Sequence, residues 1–308
     1  MRPLKMAARL LRRATGSREV VAEIPPLPPT HVCVVTGASA GIGLETARGL
    51  ARAGATVALV GRHPERTARA ASDIRSSTDN PRVSHHLADF AVLDQVRALA
   101  DTLRAAHPQM HVLVNNAGLW HNRRHTSADG FEETLAVNHL APYLLTRLLL
   151  DTLDHDEPSR VVTVSSRMHR SVAGFDFDDP MWERRRYRGT PAYARSKLAN
   201  IMFANELARR LSDTRITSTS VHPGDVATDV VRDSAALKLG LKLVRKALLT
   251  PEEGAQTSLH AAASLAAADR TGVYFDECAE TMPSPAARDV EAGRRLWRLT
   301  ATWVGLPA

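Results

Sequence analysis

The chain has 308 residues, of which 44% are hydrophobic, and this length and composition suit one large α/β domain with an extension. Its formal net charge of +7 comes mainly from arginine, but only 5% of the residues are aromatic and no recognition motif is present, so we expect no nucleic-acid partner. We also expect no membrane-spanning helix, because no run of about 18 apolar residues occurs, and two distant cysteines fit a reducing cytoplasm rather than a disulfide framework.

The chain begins with a basic segment, MRPLKMAARLLRR, that lacks the long apolar core of a secretory signal. Its charges recur at helical spacing, so the segment could lie weakly on a membrane surface as an amphipathic helix or could be a frayed basic arm. The proline-rich run at 25–29 then predicts an extended spacer. We therefore expect an arm and spacer over residues 1–30 and a globular domain over residues 31–308.

Strand-like and helix-like segments alternate along this domain. Apolar, β-branched runs predict strands at 31–35, 56–60, 83–87, 111–114, 160–164, 216–221 and 272–275. Helical patterns lie between them, at about 44–53, 65–77, 92–106, 129–153, 193–211 and 251–267. The alternation predicts an α/β fold with a doubly wound parallel sheet and helices on both faces. The sequence shows no internal repeat and no metal-ligand cluster, so no metal site is expected.

A glycine-rich turn, TGASAGIG at residues 36–43, follows the first predicted strand and opens a helix. Gly37 suits a tight turn out of the strand, Gly41 would let a pyrophosphate approach the backbone, and Gly43 would let the helix pack close to the sheet. The free N–H groups of the helix N-terminus would face the anion. The spacing differs from G-x-G-x-x-G, which leaves a plain connecting turn as the alternative, but the position in a βα unit favours a dinucleotide.

The end of the second predicted strand indicates which dinucleotide is bound. A site that prefers NAD usually places an acidic residue there to hold the ribose hydroxyls. This chain has Arg62 at that end and Arg66 shortly after it. Because a guanidinium group suits a 2′-phosphate, the pattern favours NADP(H), with an ordinary surface arginine as the alternative.

Tyr193 and Lys197 lie four residues apart in a helical pattern, so their side chains lie on the same face. An ammonium group beside a phenol favours the phenolate, and we therefore expect the pKa of Tyr193 to fall from its usual value of about 10. Alone, the pair could be a solvated stripe on a helix. Downstream of the glycine turn, it indicates acid–base chemistry.

Taken in order, these motifs resemble the short-chain dehydrogenase/reductase superfamily. The matching elements are TGASAGIG at 36–43, Asp89-Phe90, Asn115-Asn116-Ala117-Gly118, Asn138, Ser165-Ser166, Tyr193 with Lys197, and Pro223-Gly224 with Thr228. Longer stretches, such as RVVTVSSRMHR at 160–170 and HPGDVATD at 222–229, are similar to the retinol dehydrogenase-like branch, and the resemblance covers about residues 31–306. It implies a Rossmann-type catalytic domain with a substrate-lid extension, and a homo-oligomer.

The resemblance also implies a role for each matching residue. Tyr193 would be the acid in carbonyl reduction and the base in alcohol oxidation, and Lys197 would lower its pKa and bond the nicotinamide ribose. Ser166 would hold the substrate oxygen, and Asn138 would position a relay water with Lys197. Asp89 would face the adenine, and Thr228 would bond the carboxamide. The residues implied to bind NADP(H) are Gly37, Ser39, Gly41, Ile42, Gly43, Arg62, Asp89, Asn116, Gly118, Lys197, Pro223 and Thr228.

Two segments are expected to shape the substrate pocket. Ser166 and Tyr193 are 27 positions apart, and the intervening segment carries Phe175, Phe177, Trp182 and Tyr187. Residues 229–250 occupy the position of the family's lid and are rich in leucine and valine, although these side chains could instead pack on the core or form an oligomer contact. An apolar lid favours a lipophilic ketone or aldehyde of the retinoid, steroid or polyketide type as the small-molecule partner.

The biological setting has several readings. The alanine- and arginine-rich composition suggests a high-GC bacterial source, where relatives often act in secondary metabolism such as antibiotic biosynthesis. NADP(H) favours the reductive direction. One alternative is a catalytically idle NADP(H)-binding module that senses redox state, and another is a peripheral membrane enzyme held by residues 1–18.

Overall fold

The computed structural model describes residues 21–226 and 249–308 of the chain. The strands in this part are β1 Val32–Thr36, β2 Thr56–Gly61, β3 Val83–Leu87, β4 Val112–Asn115, β5 Ser159–Val164, β6 Ile216–His222, β7 Tyr274–Asp276 and β8 Ala279–Glu280. They form one sheet in the order β3-β2-β1-β4-β5-β6-β7-β8. The seven strands from β1 to β7 pair in parallel, and β8 returns antiparallel to β7. The seven predicted strands are confirmed within a residue or two, whereas β8 was not predicted.

The helices surround this sheet. They are α1 Gly41–Arg52, α2 Pro64–Thr78, α3 Leu93–Ala106, α4 Glu133–Leu135, α5 Ala141–Leu148, α6 Leu150–Leu153, α7 Gly189–Arg210, α8 Pro251–Ala263 and α9 Val290–Trp303. A π-helical turn at Ala136–Leu140 joins α4 to α5, and 3₁₀ turns lie at Arg167–Ser171, Leu265–Ala267 and Pro285–Arg288. Helix α9 was not among the predicted helices, because its buried Leu296, Trp297 and Ala301 stand among exposed arginines.

The helix predicted at 129–153 begins later and is not continuous. Gly130 has a φ of +87°, and a short antiparallel bridge joins Thr126 to Glu132, so the chain turns before the helix starts. The Glu132 carboxylate then caps the first helical turn by accepting hydrogen bonds from the backbone N–H groups of Thr134 at 2.9 Å and Leu135 at 2.7 Å. The prediction of a single helix was therefore wrong at its start and at its π-helical interruption.

The sheet is covered by helices on both faces, as predicted. One buried cluster packs α3, α5, α7 and α9 against residues such as Val34 and Val60. The other packs α1, α2 and α8 against the alternate residues of the same strands, such as Val35 and Leu59. Strands buried on both faces explain why these segments read as continuous apolar runs rather than as alternating patterns.

From β1 the chain adds β2 and β3 on one side of the sheet, and it then adds β4 and the later strands on the other side of β1. A doubly wound sheet opens a crevice at the carboxyl ends of its strands where the order reverses in this way, here between β1 and β4. Ala22, Ile24 and Leu27 pack against the second core cluster ahead of β1. The basic arm, Thr228 and all but the end of the expected lid lie outside the described residues. Within the described ranges, no helix is long and apolar enough to cross a membrane.

Candidate active site

The glycine turn connects β1 to α1 at the carboxyl edge of the sheet. Gly37 and Gly41 have φ angles of +65° and +61°, in the left-handed region that favours glycine. A Cβ atom added to Gly43 would lie 2.3 Å from Asn116 Nδ2 and 2.6 Å from the Gly37 oxygen. Position 43 therefore has no room for a side chain, because the Asn116 side chain and the Gly37 carbonyl fill that space.

Thr36, the last residue of β1, ties this turn to the end of β4. Its hydroxyl accepts hydrogen bonds from the backbone N–H groups of Asn116 and Ala117, both at 3.0 Å. The Asn116 side chain donates from Nδ2 to the Thr36 carbonyl at 2.7 Å. Asn116 therefore shapes the floor of the crevice by holding the glycine turn against β4.

Arg62 and Asp89 lie at the carboxyl ends of the neighbouring strands β2 and β3. The distance between Arg62 Nη1 and Asp89 Oδ2 is 4.0 Å, and each side chain is about one third exposed, at 35% and 37%. The turn after β1 approaches the end of β2, because the Ala38 N–H donates to the Val60 carbonyl at 3.0 Å. The structure thus brings a partly exposed guanidinium group to the edge that carries the glycine turn.

These surroundings fit a dinucleotide. Helix α1 has no acidic residue in its first turn and no side-chain cap within the described part of the chain, so its first N–H groups can serve an anion. Ser39 in the turn, Ile42 in the first helical turn and Pro223 after β6 are all half-buried along the same edge. A Cβ atom on Gly118 would lie 3.4 Å from Lys197 Nζ, so a glycine keeps the space beside the lysine open.

Ser166, Tyr193 and Lys197 come together beside this edge. Ser166 lies two residues after the end of β5, and its side chain interacts with the phenol of Tyr193 on α7 and lowers the pKa of that phenol. The Ser166 oxygen also accepts the backbone N–H of Met168 at 3.2 Å. Ser165 instead donates its hydroxyl proton to the Lys197 carbonyl at 2.7 Å. Of the two adjacent serines, Ser166 is therefore the one that contacts the tyrosine.

The lowered pKa predicted for Tyr193 is not found. Burial raises the pKa of Tyr193 to about 12, and the hydrogen bond from Ser166 only partly opposes this shift. Burial also lowers the pKa of Lys197 to about 8. The Lys197 Nζ atom donates to the Val164 carbonyl at 3.0 Å and lies 5.7 Å from the centre of the tyrosine ring. Desolvation outweighs the charge effect that the spacing alone suggests.

Asn138 lies within the π-helical turn, and its side chain is fully engaged. Its Oδ1 atom accepts the Leu119 N–H at 2.8 Å, and its Nδ2 atom donates to the Leu119 carbonyl and to Ser196 Oγ, each at 2.9 Å. The residue four positions on is Pro142, which has no N–H to donate, so the Asn138 carbonyl lacks an α-helical partner.

Trp120 is a site residue that the sequence reading missed. Its ring stacks on the ring of Tyr193, with 5.0 Å between centroids and 15° between planes. Its indole N–H is buried and has no hydrogen-bond partner among the described residues. The sequence does contain a signal for this residue, because Trp120 is an aromatic residue two positions after the Asn115-Asn116-Ala117-Gly118 motif.

The aromatic residues predicted to wall the pocket have other partners. Phe175 and Phe177 contact each other at 5.1 Å and pack against a third apolar cluster that includes Leu198 on α7. The Tyr187 hydroxyl donates to Glu132 Oε1 at 2.9 Å, which fastens the segment before α7 to the cap of α4. The ring that stacks on Tyr193 belongs instead to Trp120, which was not among the predicted wall residues.

Comparison with known proteins agrees with this geometry. The family model described as short chain dehydrogenase matches residues 31–238. Human retinol dehydrogenase 12 is 43% identical over 278 residues, covering 90% of this chain and 87% of the relative. Human retinol dehydrogenase 11 is 40% identical over 304 residues, covering 99% and 94%. A crystal structure of an uncharacterized protein from Mycobacterium paratuberculosis superposes with a TM-score of 0.75 at 30% identity, covering 93% of this chain and 98% of that one. The chain therefore belongs to the short-chain dehydrogenase/reductase superfamily, in its retinol dehydrogenase-like branch.

Proposed function

We propose that this protein is an NADP(H)-dependent oxidoreductase that reduces a lipophilic ketone or aldehyde to its alcohol. The observation that carries the proposal is the placement of the Ser166 side chain beside the Tyr193 phenol, with the buried Lys197 one helical turn further along α7. A phenol and a serine hydroxyl placed together can both donate to one oxygen atom as negative charge develops on it.

The raised pKa of Tyr193 suits the acid role. A phenol with a pKa of about 12 keeps its proton at neutral pH, so Tyr193 is ready to protonate the substrate oxygen. The Met168 N–H occupies one lone pair of the Ser166 oxygen, which restricts the directions in which the serine can donate. When bound, the reduced nicotinamide supplies the hydride for the carbonyl carbon.

Lys197 and Asn138 support proton delivery to Tyr193. An ammonium group carries three donors, and Lys197 gives one of them to the Val164 carbonyl. The remaining donors can serve the cofactor ribose and a water held on the Asn138 carbonyl, which Pro142 leaves without its α-helical partner. The proton lost from Tyr193 would then return from solvent through this water.

The preference for NADP(H) rests on Arg62. A charge-assisted hydrogen bond to a 2′-phosphate contributes about 1.5–3 kcal/mol, which corresponds to roughly a tenfold to hundredfold change in affinity. We expect Arg62→Ala to weaken NADPH binding by about that factor and to leave NADH binding unchanged. Arg69→Ala, at an exposed position of α2, is the matched control. Equal losses for NADPH and NADH in Arg62→Ala would contradict the assignment.

The substrate class rests on the relatives and on Trp120. Relatives named retinol dehydrogenases favour a long apolar carbonyl compound. The indole ring beside Tyr193 adds an apolar surface at the reacting end. We propose retinoid-like, steroid-like or polyketide carbonyls, with a place in secondary metabolism for the last of these.

The deciding experiment follows NADPH consumption with a panel of lipophilic ketones and aldehydes. We expect Tyr193→Phe to lower kcat by about a hundredfold or more, because it removes the general acid, while NADPH affinity stays within about twofold of the wild type. Tyr143→Phe is the control, since Tyr143 lies in the core, where its hydroxyl accepts a hydrogen bond from Arg147. Equal turnover by wild type and Tyr193→Phe would refute the mechanism, and tight NADPH binding without turnover of any carbonyl would favour the idle module.

A further inference from the structure

The turn that follows Ser166 contains a fully buried histidine. His169 has no exposed surface, and its ring meets the ring of Tyr274 at 5.3 Å in an edge-on contact. Its backbone N–H and its ring Nδ1 both contact the Ser166 carbonyl, at 3.1 Å and 2.6 Å. His169 therefore holds the carbonyl oxygen of Ser166 with two hydrogen bonds.

The protonation of His169 follows from its second ring nitrogen. The backbone N–H of Ser284 donates to His169 Nε2 at 3.1 Å, and a backbone N–H can only be a donor. Nε2 is therefore unprotonated, so the single ring proton lies on Nδ1 and is donated to the Ser166 carbonyl. The Ser284 N–H thus selects the Nδ1–H tautomer of His169, which donates a hydrogen bond to the Ser166 carbonyl.

The same C-terminal segment holds this turn at two further points. Arg167 forms a bidentate ion pair with Asp276, at 2.6 Å and 2.7 Å, and reaches Glu277 at 3.1 Å. Arg170 donates to the Met282 carbonyl. Residues 276–284 therefore fasten the turn on either side of His169.

We propose that His169 is a positioning residue for Ser166, locked in its Nδ1–H tautomer by the backbone of Ser284. The proposal rests on the proposed function, because Ser166 matters only if it holds a substrate oxygen. The fixed carbonyl holds the backbone of Ser166 at φ −158° and ψ 150°, the conformation in which its side chain interacts with Tyr193. A displacement of about 1 Å at such a group can lower a rate by roughly a hundredfold.

The surroundings of His169 oppose its protonation. Burial lowers the pKa of His169 to about 4, and the positive charge of Arg170 adds to the effect. A proton on His169 Nε2 would also point at the Ser284 backbone N–H, and two donors that face each other repel. The neighbouring elements contribute the following titratable groups: Tyr274 on β7, the Arg167–Asp276 pair at the sheet edge, His222 at the end of β6, and Tyr193 and Lys197 on α7.

A pair of substitutions separates positioning from packing. Asn at position 169 places an amide N–H near the Nδ1 position and so can keep the bond to Ser166, whereas Gln places its amide near Nε2 and keeps only the bond to Ser284. We expect His169→Gln to lower kcat for the carbonyl by about tenfold to a hundredfold, with KM and NADPH affinity changed by less than about threefold. His169→Asn should recover most of kcat. A merely structural role would lower the melting temperature of both variants and leave kcat per folded molecule equal in the two, and this result would overturn the proposal.

Ser284 supplies a second test that leaves His169 intact. Replacing Ser284 with the α-hydroxy acid of serine turns its backbone N–H into an ester oxygen and adds no atom, whereas proline would place its Cδ carbon against His169 Nε2. Ser284→Ala keeps the N–H and removes only the hydroxyl that caps the 3₁₀ turn. In the ester variant no N–H opposes a proton on His169 Nε2, so we expect kcat to fall on the acid side with an inflection shifted towards the ordinary imidazole pKa of about 6.5. Ser284→Ala should keep the wild-type profile.

The His169 variants and the Ser284 variants together distinguish failure of this proposal from failure of the proposed function. Identical pH profiles for the ester variant and Ser284→Ala overturn the tautomer lock, even if the His169 variants fail to fold. A wild-type protein that turns over no carbonyl overturns the proposed function instead. Full support requires an active wild type, recovery by His169→Asn and a loss of kcat on the acid side that is confined to the ester variant.

Discussion

Gly43→Ala tests the geometry of the cofactor turn most directly. The added Cβ would lie 2.3 Å from Asn116 Nδ2 and 2.6 Å from the Gly37 carbonyl oxygen, well inside any normal contact distance. Relief requires Asn116 to swing away, which breaks its 2.7 Å bond to the Thr36 carbonyl, or requires the glycine turn to move. Either change alters the surface that would face the pyrophosphate.

The expected changes in stability and in NADPH affinity follow from these contacts. Loss of the Asn116–Thr36 bond leaves buried polar groups unpaired, at a cost of about 1–3 kcal/mol. Alanine in a helix returns roughly 0.5–1 kcal/mol relative to glycine. We therefore expect the free energy of unfolding to fall by about 1–2 kcal/mol and the Kd for NADPH to rise about tenfold or more. Chemical denaturation and NADPH fluorescence titration measure the two quantities.

Gly49→Ala on the same helix is the matched control. Its Cβ would meet the Leu259 side chain at 2.6 Å, on the side of α1 that packs against α8. This variant should lose stability and keep its NADPH affinity. The reasoning is refuted if Gly43→Ala binds NADPH as tightly as the wild type, or if Gly49→Ala weakens binding to the same extent.

Three further predictions follow from the described contacts. His139 and His169 are buried, and desolvation lowers the pKa of each to about 4, whereas an imidazole in the unfolded chain has a pKa of about 6.5. The unfolded chain therefore takes up protons first as the pH falls. The free energy of unfolding should fall as pH drops from 6.5 towards 4, by about 2 kcal/mol per histidine at pH 5. Urea unfolding at pH 7.5 and pH 5 measures this, and equal stability at both would contradict it. Trp120→Leu should lower kcat/KM for the carbonyl about twofold to tenfold, because a stacked aromatic pair contributes about 0.5–1.5 kcal/mol, while Trp120→Phe should stay near the wild type. Steady-state kinetics measures both variants, and equal losses in Trp120→Leu and Trp120→Phe would show that the stack on Tyr193 is unimportant. Pro142→Ala supplies an N–H to the Asn138 carbonyl and should lower kcat without lowering the melting temperature, and an unchanged kcat would argue against a water held there.

The strands and the order of the site motifs could be predicted from the sequence because both depend on local pattern. Val34 and Leu59 belong to short apolar runs bounded by turns, and such runs have few alternatives to a buried parallel strand. The glycine turn likewise carries its geometry in its residue types. These features required no knowledge of what lies across the sheet.

The features that the sequence missed depend on contacts between distant residues. The pKa of Tyr193 is set by how deeply the ring is buried, which the four-residue spacing to Lys197 does not contain. The bond between Ser284 and His169 joins residues 115 positions apart. The start of α4 depends on Glu132, whose side chain also accepts the Tyr187 hydroxyl from 55 positions along the chain. Local patterns cannot reveal such partners.

The bonds at Thr36 bear on how the protein folds. They join β1 to residues 80 and 81 positions later in the chain, so the floor of the crevice cannot form until β4 has been synthesised and has paired with β1. Closing so long a loop costs entropy before any contact repays it, which slows folding. A dinucleotide that binds only the paired strands shifts this equilibrium by mass action. Adding NADPH during refolding should therefore increase the recovery of active protein.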